Sequence, residues 1–244
     1  MQLFYIEDLS SDIIELSKEE SQHCVRVLRL SEGDEIFLTD GSGLMCRGEI
    51  ISAGSKSCSV QIKERTENFQ QRDYYLHLAV APTKNTARLE WFLEKAVEVG
   101  IDEFTPVFCE HSERNSLKTE RLEKIAVAAM KQSLKAYKPI INEPVQLKDF
   151  LGRNSDMQKF IAYCEGDSRT SLKSVYQAKK PAVVLIGPEG DFSKNEIEKA
   201  LETGFIPVTL GTSRLRTETA ALATCFQTGL HSRFKANPRS RAPT

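Results

Sequence analysis

From residue 74 onward the apolar positions switch between two periods. Tyr74–Ala81 alternates as a strand does, whereas Leu89, Phe92, Leu93, Ala96 and Val97 fall at i, i+3, i+4, i+7 and i+8, one face of a helix. Gly100 stands where a helix stop belongs. Phe104–Phe108 returns to strand spacing. Leu122, Ile125, Ala126, Ala129 and Ser133 then predict a long helix over Asn115–Lys138, closed by Pro139. Lys159–Cys164, Ala182–Ile186 and Phe205–Leu210 read as further strands. Between the last two, Ser193 with Glu196 three residues on forms a capping box, and a final helix begins near Thr217. Strands alternating with helices predict a mainly parallel α/β sheet.

The first 72 residues have another texture. Short β-rich runs at Glu35–Thr39, Met45–Ile51 and Cys58–Lys63 are joined by the turn sequences Asp40-Gly41-Ser42-Gly43 and Ala53-Gly54-Ser55, and Glu19–Leu30 reads as one short helix. Thr66–Asp73 is a polar linker, so a small β domain over 1–72 is expected before an α/β domain over 73–244. Asn237–Thr244 is expected to lack fixed structure.

At 244 residues the chain fits one large domain or two small ones at about 150 residues each. A composition of 40% hydrophobic and 27% charged residues excludes wholesale disorder, collagen and coiled coil. No apolar run reaches about 18 residues, and the start MQLFYIEDLSSDIIEL carries acids where a signal peptide carries bases. A cytoplasmic protein without a membrane partner is therefore expected. The cysteines at 24, 46, 58, 109, 164 and 225 form no CxxC pair, which predicts reduced, mostly buried thiols and no metal site. The net charge of −1 argues against a nucleic-acid partner until it is divided. Residues 1–72 hold 8 basic and 13 acidic side chains, and 73–244 hold 25 and 21.

Ligands of open α/β sheets collect at the carboxyl ends of strands. Two loops there stand out. Ile186-Gly187-Pro188-Glu189-Gly190-Asp191-Phe192 leaves the most apolar strand, and its glycines allow close backbone approach. It matches neither a Walker A loop nor a GxGxxG fingerprint, and a plain turn capped by Ser193 is the simpler alternative. Leu210-Gly211-Thr212-Ser213-Arg214-Leu215-Arg216-Thr217-Glu218-Thr219-Ala220 again leaves a strand at a glycine and enters a helix. Thr217 and Glu218 suit a helix start, but Arg216 opposes the helix dipole and is better explained by an anionic partner.

The run LIGPEGDFSKNEIEKALETGFIPVTLGTSRLRTETAALA resembles the 16S ribosomal RNA uridine N3-methyltransferases, knotted methyltransferases of the SPOUT class. Further matches are His23 with Val27-Leu28-Arg29-Leu30, Gly33-Asp34, Lys84, Lys95-Ala96-Val97-Glu98-Val99-Gly100, Pro106, Glu113-Arg114, Gln132-Ser133 and Pro139. The resemblance implies an N-terminal PUA-like β-barrel for RNA and a C-terminal α/β domain with a deep trefoil knot. It implies S-adenosyl-L-methionine as cofactor, a homodimer, and methylation of N3 of a specific uridine in 16S rRNA of the small ribosomal subunit. Asp191 stands where relatives usually have a second glycine, Lys135 where they have an arginine, and MQLFYIEDL lacks their N-terminal arginine.

On that reading Cys164, Glu165, Leu185, Gly187, Pro188, Gly190, Leu210, Gly211, Leu215, Thr219 and Ala220 would hold the cofactor. Arg216 would stabilise charge on the uracil oxygens, with Glu218 or Glu189 orienting it or taking the N3 proton. RNA contacts are expected from Arg26, Arg29, Lys84, Arg114, Lys131, Lys135 and Lys138. Lys124, Lys131, Lys135 and Lys138 would share a sector of about 60° on the Asn115–Lys138 helix, opposite its apolar stripe, although Glu120 on the same face favours a solvated face over an RNA contact. Arg233, Lys235, Arg239 and Arg241 add basic charge at the tail. His23 beside Cys24 reads as structural, and Trp91 as core or dimer interface ahead of a base-stacking platform. Two alternatives remain: the same fold acting on another RNA base, or a catalytically silent RNA-binding ribosome-assembly protein.

Overall fold

The computed structural model describes residues 2–153, 156–164 and 169–236, with side chains as far as residue 229. The chain divides into two compact units. Met1–Gln71 with Val127–Lys138 forms the first, and Arg72–Ala126 with the chain from Pro139 onward forms the second.

In the first unit, β1 (Leu3–Tyr5), β2 (Ile13–Glu15), helix α1 (Lys18–Gln22), β3 (Glu35–Thr39), β4 (Met45–Ala53) and β5 (Cys58–Thr66) follow in order. The sheet runs β1-β3-β4-β5-β2, so β1 and β2 are its edges and it is a half-barrel, not a closed one. Its inner face buries Phe4, Ile14, Ile36, Leu38, Ile50 and Val60. The helix expected over Glu19–Leu30 is shorter and irregular. α1 gives way to a π turn over His23–Val27, in which Leu28 N–H donates to the His23 carbonyl (2.9 Å), and Arg29 closes it at φ 57°. Cys24 faces the core, 4.0 Å from Cys58 Sγ to Sγ.

The second unit contains β6 (Leu76–Val80), α2 (Thr86–Val99), β7 (Glu103–Phe108), α3 (Thr119–Gln132), β8 (Ile140–Ile141), β9 (Val145–Gln146), α4 (Leu147–Leu151) and β10 (Gln158–Ala162). β11 (Thr170–Ser171), α5 (Leu172–Val175), β12 (Ala182–Ile186), α6 (Lys194–Glu202), β13 (Ile206–Thr209) and α7 (Thr217–Ala236) complete it. The sheet order is β11-β13-β10-β12-β6-β7-β8, with β9 beside β7. Every pairing in it is parallel. Its central strands β6 and β12 are buried along their whole length, which explains the unbroken apolar run of β12, while His77 in β6 is buried with its Nε2 2.7 Å from Thr105 Oγ1. Asn85 caps α2 by accepting from Ala87 N–H (3.0 Å), and Gly100 ends it at φ 118°.

The long helix is shorter than its periodicity predicts. α3 ends at Gln132 because the chain turns left-handed at Leu134 (φ 55°). Its Val127–Gln132 portion belongs to the first unit. Lys135 and Lys138 therefore lie beyond the helix, and the shared sector is reduced to Lys124 and Lys131.

Five cysteines are buried and Cys164 is exposed. Burial pushes the Cys24 and Cys225 thiols up to about 12, so both stay protonated. Among the described residues no helix is long and apolar enough to cross a membrane, and no group of His, Cys, Asp and Glu is arranged to hold a metal.

Candidate active site

The loops after β6, β10, β12 and β13 all leave the carboxyl ends of neighbouring parallel strands. The strand order reverses here: β7 extends the sheet on one side of β6, and β12, β10 and β13 extend it on the other. That is the switch-point crevice of an open α/β sheet.

The loop after β12 is braced by its own contacts. Asp191 N–H donates to the Pro188 carbonyl (3.0 Å), which makes a tight turn. Asp191 is left-handed (φ 61°), a position that suits glycine, and two hydrogen bonds compensate. Its Oδ1 accepts from Phe192 N–H (2.9 Å) and its Oδ2 from Cys164 N–H (2.7 Å), tying this loop to the one after β10. A bond to a charged acceptor is worth about 1.5–3 kcal/mol, against about 1–2 for the strained backbone, so the ties win. His111 Nδ1 lies 3.2 and 3.1 Å from the Gly190 and Asp191 carbonyl oxygens.

Glu189 Oε1 accepts from Lys84 N–H (3.0 Å), while Arg114 Nε donates to the Lys84 carbonyl (3.1 Å) and Lys84 Nζ pairs with Glu113 (3.3 Å). Lys84, Arg114 and Glu189 are thus brought together, but as a brace between the loops after β6 and β12. Packing also explains two glycines. A Cβ on Gly187 would stand 3.0 Å from the Phe192 ring, and one on Gly190 3.1 Å from His111 Cβ.

The loop after β13 is different. Gly211 adopts φ 153°, and a Cβ there would meet nothing within 4 Å. Gly211–Arg214 and Arg216 are exposed. The Arg216 carbonyl accepts from Ala220 N–H (2.8 Å), so this arginine sits at the entrance of α7, against the positive end of its dipole. Thr217 is buried and donates its hydroxyl to the Gly187 carbonyl (3.0 Å), joining the two loops. Among the described residues neither Arg214 nor Arg216 makes an ion pair.

A cavity of about 590 Å³ opens beside this loop, lined by Ala87, Arg88, Trp91, Arg214, Leu215, Arg216, Glu218 and Thr219. Glu218 is buried; its Oε1 lies 3.9 Å from Arg88 Nε and its Oε2 has no hydrogen-bond partner. Arg216 and Glu218 therefore share one cavity, from which Glu189 is absent.

The expected cofactor residues separate in the same way. The Leu185 side chain belongs to the hydrophobic core. The Leu210 carbonyl accepts from Gln227 Nε2 (2.8 Å). Leu215 and Thr219 line the cavity, Ala220 is half-buried and Cys164 exposed, whereas Glu165 lies outside the described residues. The sequence reading missed Arg88, Arg214 and the ties made by His111 and Asp191. Trp91 is not core: it is 46% exposed.

Among the expected RNA contacts, Lys131 is half-buried, ion-paired with Glu20 and placed over the Phe4 ring at 5.6 Å, so its charge is compensated within the first unit. Lys138 lies over the Tyr5 ring at 5.5 Å. Arg26 Nη2 reaches Ser55 Oγ at 3.4 Å, and Arg29 is exposed at the end of the π turn. The tail positions Arg239 and Arg241 fall outside the described residues, as does the tail Asn237–Thr244.

These features are those of one class: an α/β protein with several loops gathered at the carboxyl ends of its strands and a cavity lined by three arginines beside the loop after β13. Comparison with known proteins narrows it. A family model for the RNA methyltransferase domain matches residues 70–228, and one for the RNA methyltransferase PUA domain matches residues 16–63. The chain belongs to this RNA methyltransferase family. It is 28% identical to ribosomal RNA small subunit methyltransferase E of Bacillus subtilis, over 94% of this chain and 98% of that one. A crystal structure of a probable rRNA-methyltransferase from Porphyromonas gingivalis is 41% identical, covering 96% of this chain and all of that one, with a TM-score of 0.90. Ribosomal RNA small subunit methyltransferase E from Neisseria gonorrhoeae, solved bound to S-adenosyl methionine, is 26% identical over 93% and 97% of the two chains, with a TM-score of 0.84.

Proposed function

We propose that the protein transfers a methyl group from S-adenosyl-L-methionine to N3 of a uridine in 16S rRNA of the small ribosomal subunit. The observation that carries this reading is the cavity beside the loop after β13 that holds Arg216 and the buried, unpartnered Glu218 oxygen, with Thr217 between them tied to Gly187 of the loop after β12. The names of the relatives supply the RNA, and the bound Neisseria enzyme supplies the cofactor.

The residues present fit that cofactor. Gly211 faces open space where a side chain would fill the cradle, and Leu215 and Thr219 offer apolar and polar lining next to it. Pro188 and Gly190 present a backbone that is already fixed. S-adenosyl-L-methionine, when bound, supplies an electrophilic methyl on a sulfonium. The chain's own part is to position the base and to stabilise charge. N3 of uridine is a weak acid whose charge, once the proton leaves, rests on O2 and O4. Arg216 donates to those oxygens. Glu218 holds Arg88 through Oε1 and accepts the proton through Oε2, while Glu189 serves as a brace.

The same reading assigns residues 1–72 to RNA binding, through Arg26 and Arg29, and residues 73–244 to catalysis, with the trefoil knot made where β13 turns into α7. A homodimer in the cytoplasm completes it, with Phe226, 47% exposed on α7, as an apolar side chain for a second copy to cover. The test is transfer of tritiated methyl into small subunits and into naked 16S rRNA. Label in either supports the activity; label in neither, from folded protein that binds the cofactor, favours the silent RNA-binding alternative.

A further inference from the structure

Trp91 is the single tryptophan of the chain and is 46% exposed, although its neighbours Leu89, Phe92 and Leu93 are buried. It follows Ala87 by four residues and Arg88 by three on α2, so the three share one side of the helix. That side is one wall of the cavity whose other wall carries Arg214, Leu215, Arg216, Glu218 and Thr219. Ala87, one turn before Trp91, carries only a methyl group and leaves room beside the indole.

An exposed aromatic ring among guanidinium groups is how proteins take an unstacked base: the ring stacks, and the cations meet the carbonyl oxygens. A second observation fixes the place. Glu218 is more than nine-tenths buried, lines the cavity, and its Oε2 lacks a donor. A buried acceptor left in that state is destabilising unless a ligand donates to it, and uracil carries an N–H between two carbonyl acceptors. Arg88, beside Glu218 Oε1 at 3.9 Å, supplies a donor on the Trp91 side.

We infer that Trp91 and Arg88 form the platform for the acceptor base: the indole stacks on the uracil and Arg88, steadied by Glu218, donates to one of its carbonyl oxygens. This rests on the uridine-methylation reading above. With one tryptophan, the fluorescence of the intact protein reports on Trp91 alone. A uridylate hexamer is expected to quench it saturably, and an abasic hexamer of equal charge to leave most of the signal. Trp91→Ala should raise KM for 16S rRNA about tenfold or more with cofactor affinity unchanged, and Trp91→Phe should recover most of the loss.

Three results would overturn the platform. Equal quenching by the abasic hexamer would leave a phosphate contact only, and quenching by S-adenosyl-L-methionine alone to the same depth would make the ring a cofactor cover. Monomers from Trp91→Ala in sedimentation, with KM unchanged, would make it an interface between copies. Wild-type protein that quenches with the uridylate hexamer but methylates no rRNA would instead sink the functional reading and leave the platform standing.

Discussion

The loops after β12 and β13 start from the same chemistry, a glycine soon after the end of a parallel strand, and are built in opposite ways. The first is closed on itself: Asp191 grips Phe192 and Cys164, Glu189 grips Lys84, and His111 lies against two of its carbonyls. The second is open: Gly211 faces empty space and Arg214 and Arg216 are exposed. One loop is organised before any ligand arrives, and the other keeps its charge for the ligand. That division suits a transferase that must hold a cofactor firmly and meet charge that develops only during reaction.

The comparison breaks first at Arg216. Replacing it with Ala should lower single-turnover methylation about a hundredfold, as loss of a donor to a developing oxyanion does, and leave cofactor affinity alone. An unchanged rate would remove the open loop from the chemistry. Gly211→Ala should weaken cofactor binding about tenfold by titration calorimetry; its φ of 153° is one that side chains rarely adopt, so an unchanged circular dichroism spectrum is the check that the fold survives. Undiminished affinity there would place the cofactor elsewhere.

Asp191→Gly sharpens the closed half. It removes two hydrogen bonds of about 1.5–3 kcal/mol each and relieves about 1–2 kcal/mol of backbone strain, so the tie between the loops loses about 1–5 kcal/mol and cofactor affinity should fall about fivefold or more. Amide exchange at Cys164 should rise with it, and slow exchange in the variant would show that the tie organises nothing. The smallest effect is expected in the first unit, where Arg29→Ala should reduce the salt slope of rRNA binding by about 1. A slope that stays the same would leave Arg29 off the phosphates.

Much of this was legible in the sequence, for reasons that particular residues make plain. Ala182–Ile186 is apolar throughout because β12 is covered on both faces, and Ser193 with Glu196 forms the capping box that their spacing predicts. Gly100 ends α2 as expected. Other features gave no local signal. β1 and β2 span three residues each, too few for a period to show. Leu134 ends α3 in a left-handed conformation that leucine rarely adopts, so the lysines after it read as helical. The hold of Asp191 on Cys164 joins residues 27 apart in sequence, and Trp91 lies so close to an apolar stripe that it reads as part of it.

Methyl transfer to N3 of uridine is read out by mass spectrometry of nucleosides digested from 16S rRNA after incubation with the pure protein and S-adenosyl-L-methionine. The new nucleoside should be 3-methyluridine. A methyl group on another base or on ribose would contradict it.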